Sequence, residues 1–421
     1  MNLLGLAWRS LLNRRFAVIL TVCTIALSIG LLVLVEQLRS EVRTGFYRSV
    51  SGVDLIVGAR TSPVQLLLYS VFGIGDATND ISWETFEQLK VLPQVDWAIP
   101  MALGDSFRGF RVMGTSRDFF EHYRFGNRES LALARGEIFD DLFDVVIGAQ
   151  VARQLGYELG DRIVLAHGTG RVALQAHDDH PFTISGILAP TGTPVDQQLY
   201  ISLAAHRAIH IGWETGVQRP GSTIDPDAAR DRADELRPNA ITALLLGLNT
   251  RAAVFDLQRV INRYRPEALT AIMPGITLQQ LWRITGLAEQ VLRVVAALVV
   301  LAGLLGMLTV LLTTLSERRR EMAILRANGA RPWQISSLLV FEAGLIAAGG
   351  IVLGVVLALV VQSAAAPWLL ANYGLHVGLS WPEPWQLGVL GIIFLAALLI
   401  ALVPAFMAYR RTLSDGMQVK T

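Results

Sequence analysis

Four long apolar runs punctuate the chain, at Phe16–Val35, Ala288–Leu315, Ile335–Val361 and Leu387–Met407. Each is long enough to cross a bilayer, which takes about 20 predominantly apolar residues. Between the first two runs the pattern changes to short segments with strand or helix periodicity, broken by Gly, Pro, Asp and Asn. Strands are predicted at Val53–Val57, Val95–Met101, Phe107–Met113, Asp144–Ile147, Arg162–Ala166, Phe182–Leu188, Gln198–Ile201, Ile241–Leu248 and Leu269–Met273. Helices are predicted around Trp83–Leu89, Ala149–Leu155, Leu203–Ile211 and Arg251–Tyr264. The stretch Gly212–Pro238, rich in Pro, Gly and Asp, reads as a linker, so this region is expected to form two mixed lobes. The fold class that follows is a multi-pass α-helical membrane protein: four transmembrane helices, with a large mixed α+β extracytoplasmic domain between the first and second spans.

Arginine placement orients these spans. Arg9, Arg14 and Arg15 precede the first, Arg318, Arg319, Arg320, Arg326 and Arg331 lie between the second and third, and Arg410 and Arg411 follow the fourth. All three clusters fall on one side if each run crosses once, and positive loops stay in the cytoplasm. The expected segmentation is a cytoplasmic interfacial helix at 1–15, a span at 16–35, and an extracytoplasmic domain with helical stalks at 36–286. Spans at 287–315 and 335–361 flank a cytoplasmic helix at 316–334. A short outer loop at 362–386, a span at 387–408 and a cytoplasmic tail at 409–421 complete the chain. This places the protein in the inner (plasma) membrane with both termini inside. The first run is too long for a cleaved signal and no A-x-A-like site follows it, so it reads as a retained anchor.

Composition agrees with a lipid environment. The chain is 52% hydrophobic and only 17% charged, which argues against an ordinary soluble globule. A net charge of +1 gives no footprint for nucleic acid. The single cysteine, Cys23, lies in the first span, so no intramolecular disulfide can form and packing is its expected role. Pro63–Ile74 (PVQLLLYSVFGI) is very apolar yet too short to span. It reads either as a core helix of the outer domain or as a flap lying on the membrane.

The segment between the second and third spans carries the most information. In ERRREMAILRANGA, Glu317 and Glu321 intersperse the charge of Arg318, Arg319, Arg320 and Arg326, while Met322, Ile324 and Leu325 line one side. Gly329 supplies a stop before Pro332 opens the next helix. A basic helix with an apolar stripe at the inner face suits a protein partner better than lipid headgroups. Together with the order of spans, Glu317–Ala330 resembles the coupling helix of the MacB/FtsX-type ABC transporter permeases. VVIGAQVARQLGYELGDRI (Val145–Ile163), FTISGIL (Phe182–Leu188), QQLYISL (Gln197–Leu203) and PAFMAYRRTL (Pro404–Leu413) resemble other elements of that family, in its order. The resemblance implies a non-catalytic permease subunit working as a homodimer with a separate cytoplasmic ABC ATPase, which binds the ATP. The chain has only two lysines, Lys90 and Lys420, and neither follows a glycine-rich loop, so these 421 residues hold no phosphate-binding G-x-x-x-x-G-K-[ST].

Other features are open to test. Gly350 and Gly354 form a G-x-x-x-G that allows close helix approach, within the chain or to a second copy. Glu342 falls inside the third run, where an inner-interface position is the expected one. Trp368, Tyr373, Trp381 and Trp385 read as interfacial anchors. Histidines cluster in the outer region: His167, the H-D-D-H motif His177–His180, and His206 with His210 at i, i+4 on one helix face. A zinc site built from His177, His180, His206 and His210 is the metal expectation; solvated loop residues are the alternative.

Two functions follow. In one, ATP-driven motion of the outer domain exports or extracts a lipidic, lipoprotein or peptide substrate. In the other, the chain transports nothing and transmits force to activate a periplasmic partner such as a cell-wall hydrolase. Pro63–Ile74, as an apolar surface near the membrane, would favour the first.

Overall fold

The computed structural model describes residues 14–168, 175–176, 180–212, 224–317, 324, 329–373, 378 and 380–414. Eleven helices are described: α1 (Arg15–Arg48), α2 (Pro63–Val71), α3 (Trp83–Lys90), α4 (Asp118–His122), α5 (Ala149–Leu155), α6 (Leu203–Ile209), α7 (Pro226–Asp231), α8 (Val254–Asn262), α9 (Pro274–Glu317), α10 (Pro332–Tyr373) and α11 (Pro384–Ser414). The principal strands are β1 (Leu55–Ala59), β2 (Val95–Phe107), β3 (Phe110–Thr115), β4 (Leu133–Gly136), β5 (Asp144–Ile147), β6 (Ala166–His167), β7 (Phe182–Leu188), β8 (Gln198–Ser202), β9 (Ala243–Leu248) and β10 (Leu269–Ile272). The chain divides into two compact units. One comprises 1–41, 286–367 and 377–421, the other 42–285 and 368–376.

The first unit is helical. Parts of α1, α9, α10 and α11 are long and apolar enough to cross a membrane. Several of their hydroxyls are satisfied inside the helix, as hydrocarbon demands. Thr21, Thr24 and Ser28 each donate to the carbonyl four residues back at 2.8–2.9 Å. α10 and α11 open on the same device. Arg331 and Glu383 precede Pro-Trp-Gln, and in each case the backbone N–H before the proline donates to the side-chain oxygen of the glutamine, at 2.8 Å to Gln334 and 3.0 Å to Gln386. Proline needs no N–H partner in the first turn, and the glutamine satisfies the orphan amide ahead of it. Ile25, Ile29, Met307, Ala343, Ala347, Ala397 and Ala401 fill the interior of this bundle.

The second unit is built on one 12-stranded mixed sheet. Its main path runs β10-β1-β9-β2-β3-β8-β5-β7-β4. Pairings are antiparallel except β3 with β8 and β5 with β7, each of which encloses intervening helical or irregular chain. Side chains alternate faces along each strand. Ile56, Ile99, Met101 and Leu245 therefore pack on one side with α2 and α4, while Leu55, Val57, Leu244 and Leu246 pack on the other against Phe86, Leu89, Leu257 and Ile261. A third cluster joins β5, β7 and β8 to Val151 of α5 and Ala205, Ala208 and Ile209 of α6.

Two expectations change and one open choice is settled. The chain after 212–238 does not start a second lobe: β9 and β10 return to flank β1 in the same sheet. Phe107–Met113 is not one strand, because Arg108 and Gly109 both take positive φ (49° and 90°) and reverse the chain between β2 and β3. Such a two-residue turn matches strand twist. Pro63–Ile74 is a core helix for most of its length. α2 buries Leu66, Leu67 and Tyr69 over β1, where a Cβ on Gly58 would stand 2.5 Å from Leu66 Cδ1. That burial removes the apolar surface invoked in favour of a lipidic cargo.

Candidate functional site

The segment Glu317–Arg331 meets the structure at its two ends. α9 continues to Glu317, Gly329 takes a φ of 87°, and α10 begins at Pro332. Ile324 is exposed. Arg318, Arg319, Arg320, Glu321, Met322, Leu325 and Arg326 lie outside the described residues.

Within the helical unit the G-x-x-x-G is an intrachain contact. A Cβ on Gly350 would stand 2.5 Å from Ile25 Cγ2, and one on Gly354 would stand 2.7 Å from both Ile29 Cβ and the Ala26 carbonyl. The two glycines thus let α10 lie directly on α1. Ser28 adds a hydroxyl bond to the Val299 carbonyl at 3.2 Å, tying α1 to α9. Cys23 does not pack into this interior; it is exposed on the bundle surface. Glu342 is buried. Trp368, Trp381 and Trp385 are exposed. A charged group that sequence reasoning missed links α1 to α9: Arg39 bonds Glu36 and Glu289, both at 2.7 Å, and Arg293 approaches Glu36 at 3.6 Å.

In the sheet unit the histidines separate into two places. His180 is buried, with Nε2 bonded to the Ile224 carbonyl at 2.9 Å and its ring against Phe143. His177 lies outside the described residues. His206 and His210 come together as their spacing predicts, with rings stacked at 4.3 Å. Ser202 caps α6 by accepting from the Ala205 amide, and Gly114 gives the helix room, since a Cβ there would stand 2.9 Å from His206 Cβ. The third member of this group is not His180 but Asp105, from β2. Its carboxylate is fully buried and faces both imidazoles, 3.7 Å from His206 Nε2 and 3.6 Å from His210 Nε2. Nothing in the sequence singled out Asp105.

Elsewhere in this unit two buried polar groups are structural. Tyr69 is pushed up to about 12, by burial first and the nearby Asp80 charge second, so it stays neutral at physiological pH. Asp196 accepts from the Thr191 amide and hydroxyl and from the Gly192 amide, closing the T-G-T-P-V-D loop on itself.

Two family models match the chain. The MacB-like periplasmic core domain matches residues 18–236, more than half of the chain, and the FtsX-like permease C-terminal domain matches 293–414. The chain belongs to the MacB/FtsX-type ABC transporter permeases. It is 25% identical over 337 residues to the macrolide export ATP-binding/permease protein MacB of Nitrosomonas europaea, covering 76% of this chain and 47% of that relative. It is 24% identical over 416 residues to the pyoverdine export ATP-binding/permease protein PvdT of Pseudomonas aeruginosa, covering 96% and 56%. The chain spans about half the length of the curated relatives it matches. Among solved structures it is similar to the periplasmic region of MacB from Actinobacillus actinomycetemcomitans, at 11% identity and a TM-score of 0.33, covering 56% of this chain and 97% of that one. The FtsX-like match begins in α9 and ends in α11, so it includes the arginine segment between the second and third spans.

Proposed function

We propose that this permease couples ATP hydrolysis on a separate cytoplasmic ABC ATPase to movement of its extracytoplasmic sheet domain, exporting or extracting a lipidic, lipoprotein or peptide substrate. The carrying observation is the continuity of the FtsX-like match across Glu317–Ala330, where arginines and an apolar stripe alternate. In this reading Arg318–Arg320 and Met322, Ile324 and Leu325 dock the ATPase. Both termini are cytoplasmic and the region between the first two spans is outside.

The active unit in this reading is a homodimer. On α9 an exposed apolar stripe, Leu287, Val291, Val294, Leu298, Leu301 and Leu305, repeats at three- and four-residue spacing. A second copy of the chain is one occupant of such a stripe, and lipid is the other. The relatives named above are export proteins, which supports transport over force transmission to a periplasmic hydrolase.

The test is co-purification of the ATPase with the detergent-extracted chain. Arg319→Glu with Arg320→Glu should abolish recovery of the ATPase while the permease still inserts. Undiminished recovery would remove the docking assignment. The lipid, lipoprotein or hydrolase recovered with the wild-type complex separates transport from signalling.

A further inference from the structure

We propose that Asp105, His206 and His210 form a binding site for a borderline divalent cation of the zinc class. This goes beyond the permease reading and stands or falls independently of it.

The donor set is the first argument. Two imidazole nitrogens and one carboxylate offer three ligand atoms, all within 4.8 Å of one another. Histidine nitrogen and carboxylate oxygen are the ligands zinc takes at about 2.0–2.2 Å. The observed nitrogen–oxygen separations, 3.7 Å from His206 Nε2 to Oδ2 and 3.6 Å from His210 Nε2 to Oδ1, run to different oxygens of the one carboxylate. They are much longer than the roughly 2.7–2.9 Å of a charge-assisted hydrogen bond.

The hydrogen bond on the far side of His210 is the second. Its Nδ1 lies 2.6 Å from the His206 carbonyl oxygen. A carbonyl only accepts, so Nδ1 carries a proton and Nε2 is the ring atom turned toward Asp105. Metal-bound histidines use this arrangement: the other ring N–H donates to a backbone carbonyl and fixes the tautomer.

The third is preorganisation. Asp105 follows a register shift in β2, between Leu103 and Asp105 in the pairing with β3, and such bulges re-aim a side chain. His206 and His210 sit on and just after α6, itself seated closely against β3 at Gly114. In the pairing of β2 with β6, His167 stands opposite Asp105. A fully buried carboxylate is costly in isolation and is retained where cationic partners surround it. An ion here would pin β2 to α6 in the sheet unit.

The experiment uses the full-length chain in detergent, carrying no polyhistidine tag, stripped by a chelator and then titrated with zinc alone against a chromophoric competitor. One saturable zinc per chain is expected, with affinity at least tenfold weaker in Asp105→Asn and in His210→Gln. Cobalt in place of zinc should give the visible absorption of a tetrahedral nitrogen/oxygen site in wild type and lose it in Asp105→Asn. The metal-free variants are compared with wild type by gel filtration and thermal midpoint to confirm that they fold. Should they not fold, the wild type alone decides, since added zinc should raise its thermal midpoint. Absence of a saturable site, equal zinc affinity in all three proteins, or a wild-type midpoint indifferent to zinc each overturns the proposal.

Discussion

Arg39 Nη1 meets Glu289 Oε2 at 2.7 Å, joining two helices whose contact residues are 250 positions apart in sequence. Arg39 also holds the nearly buried Glu36, so a single guanidinium neutralises one acid on its own helix and one on its neighbour. A planar fork suits this double engagement better than an ammonium.

Arg39→Ala should therefore destabilise the helical unit, because it strips the closest partner from Glu36. Breaking a fully buried pair costs about 3–5 kcal/mol. Partial exposure of Arg39 and Glu289 reduces the expectation here to roughly 1–2 kcal/mol. The swap Arg39→Glu with Glu289→Arg should recover part of the loss that either charge reversal causes alone. A thermal-unfolding cycle in detergent checks this, and additive losses would show that the two residues do not interact.

Adjacent glycines on α10 give a sharper contrast. A Cβ on Gly350 would collide with Ile25, whereas one on Gly349 meets nothing within 4 Å. Gly350→Ala should cost about 1–3 kcal/mol through overpacking. Gly349→Ala should be neutral or slightly stabilising, since alanine favours helix. Equal effects of the two substitutions on the thermal midpoint would mean that α10 does not rest on α1 at this glycine.

The spans were legible because an uninterrupted apolar run of that length has few alternatives in a folded chain. The pairing of His206 with His210 was legible for a similar reason, since a four-residue helical spacing is local. Asp105 was not. It reaches the histidines only through the register of β2, β3 and β8, which the sequence does not print residue by residue. The hairpin at Arg108–Gly109 was hidden because arginine is an uncommon residue at positive φ. Pro63–Ile74 was ambiguous in principle: an apolar stretch of that length looks alike whether a sheet or a membrane covers it. The sheet covers it through Leu66, Leu67 and Tyr69.

Sidedness can be read chemically. In a Cys23→Ser background, cysteines placed at Asn127 or Gly221 should react with an impermeant thiol reagent on intact spheroplasts, while one at Asn328 should not. Asn127 lies in the sheet unit, between α4 and β4. Labelling at Asn328 without lysis would invert the proposed topology.

Asp196 supplies a pH-dependent prediction. Burial raises its carboxyl pKa above the ordinary value of 3.8, against the opposing pull of hydrogen bonds from Thr191 and Gly192 and the charge of Arg153. The folded state therefore holds this proton more tightly than the unfolded chain does. Its stabilising contribution is complete below the unfolded pKa and is lost as pH rises through the higher folded value. Asp196→Asn does not titrate, though it sacrifices an acceptor in the T-G-T-P-V-D loop and should be less stable at every pH. The sign lies in the difference: the thermal midpoint of wild type minus that of Asp196→Asn should shrink as pH rises from about 3.5 to 7. If the difference grows instead, the hydrogen bonds outweigh burial and the carboxyl is held below its ordinary value.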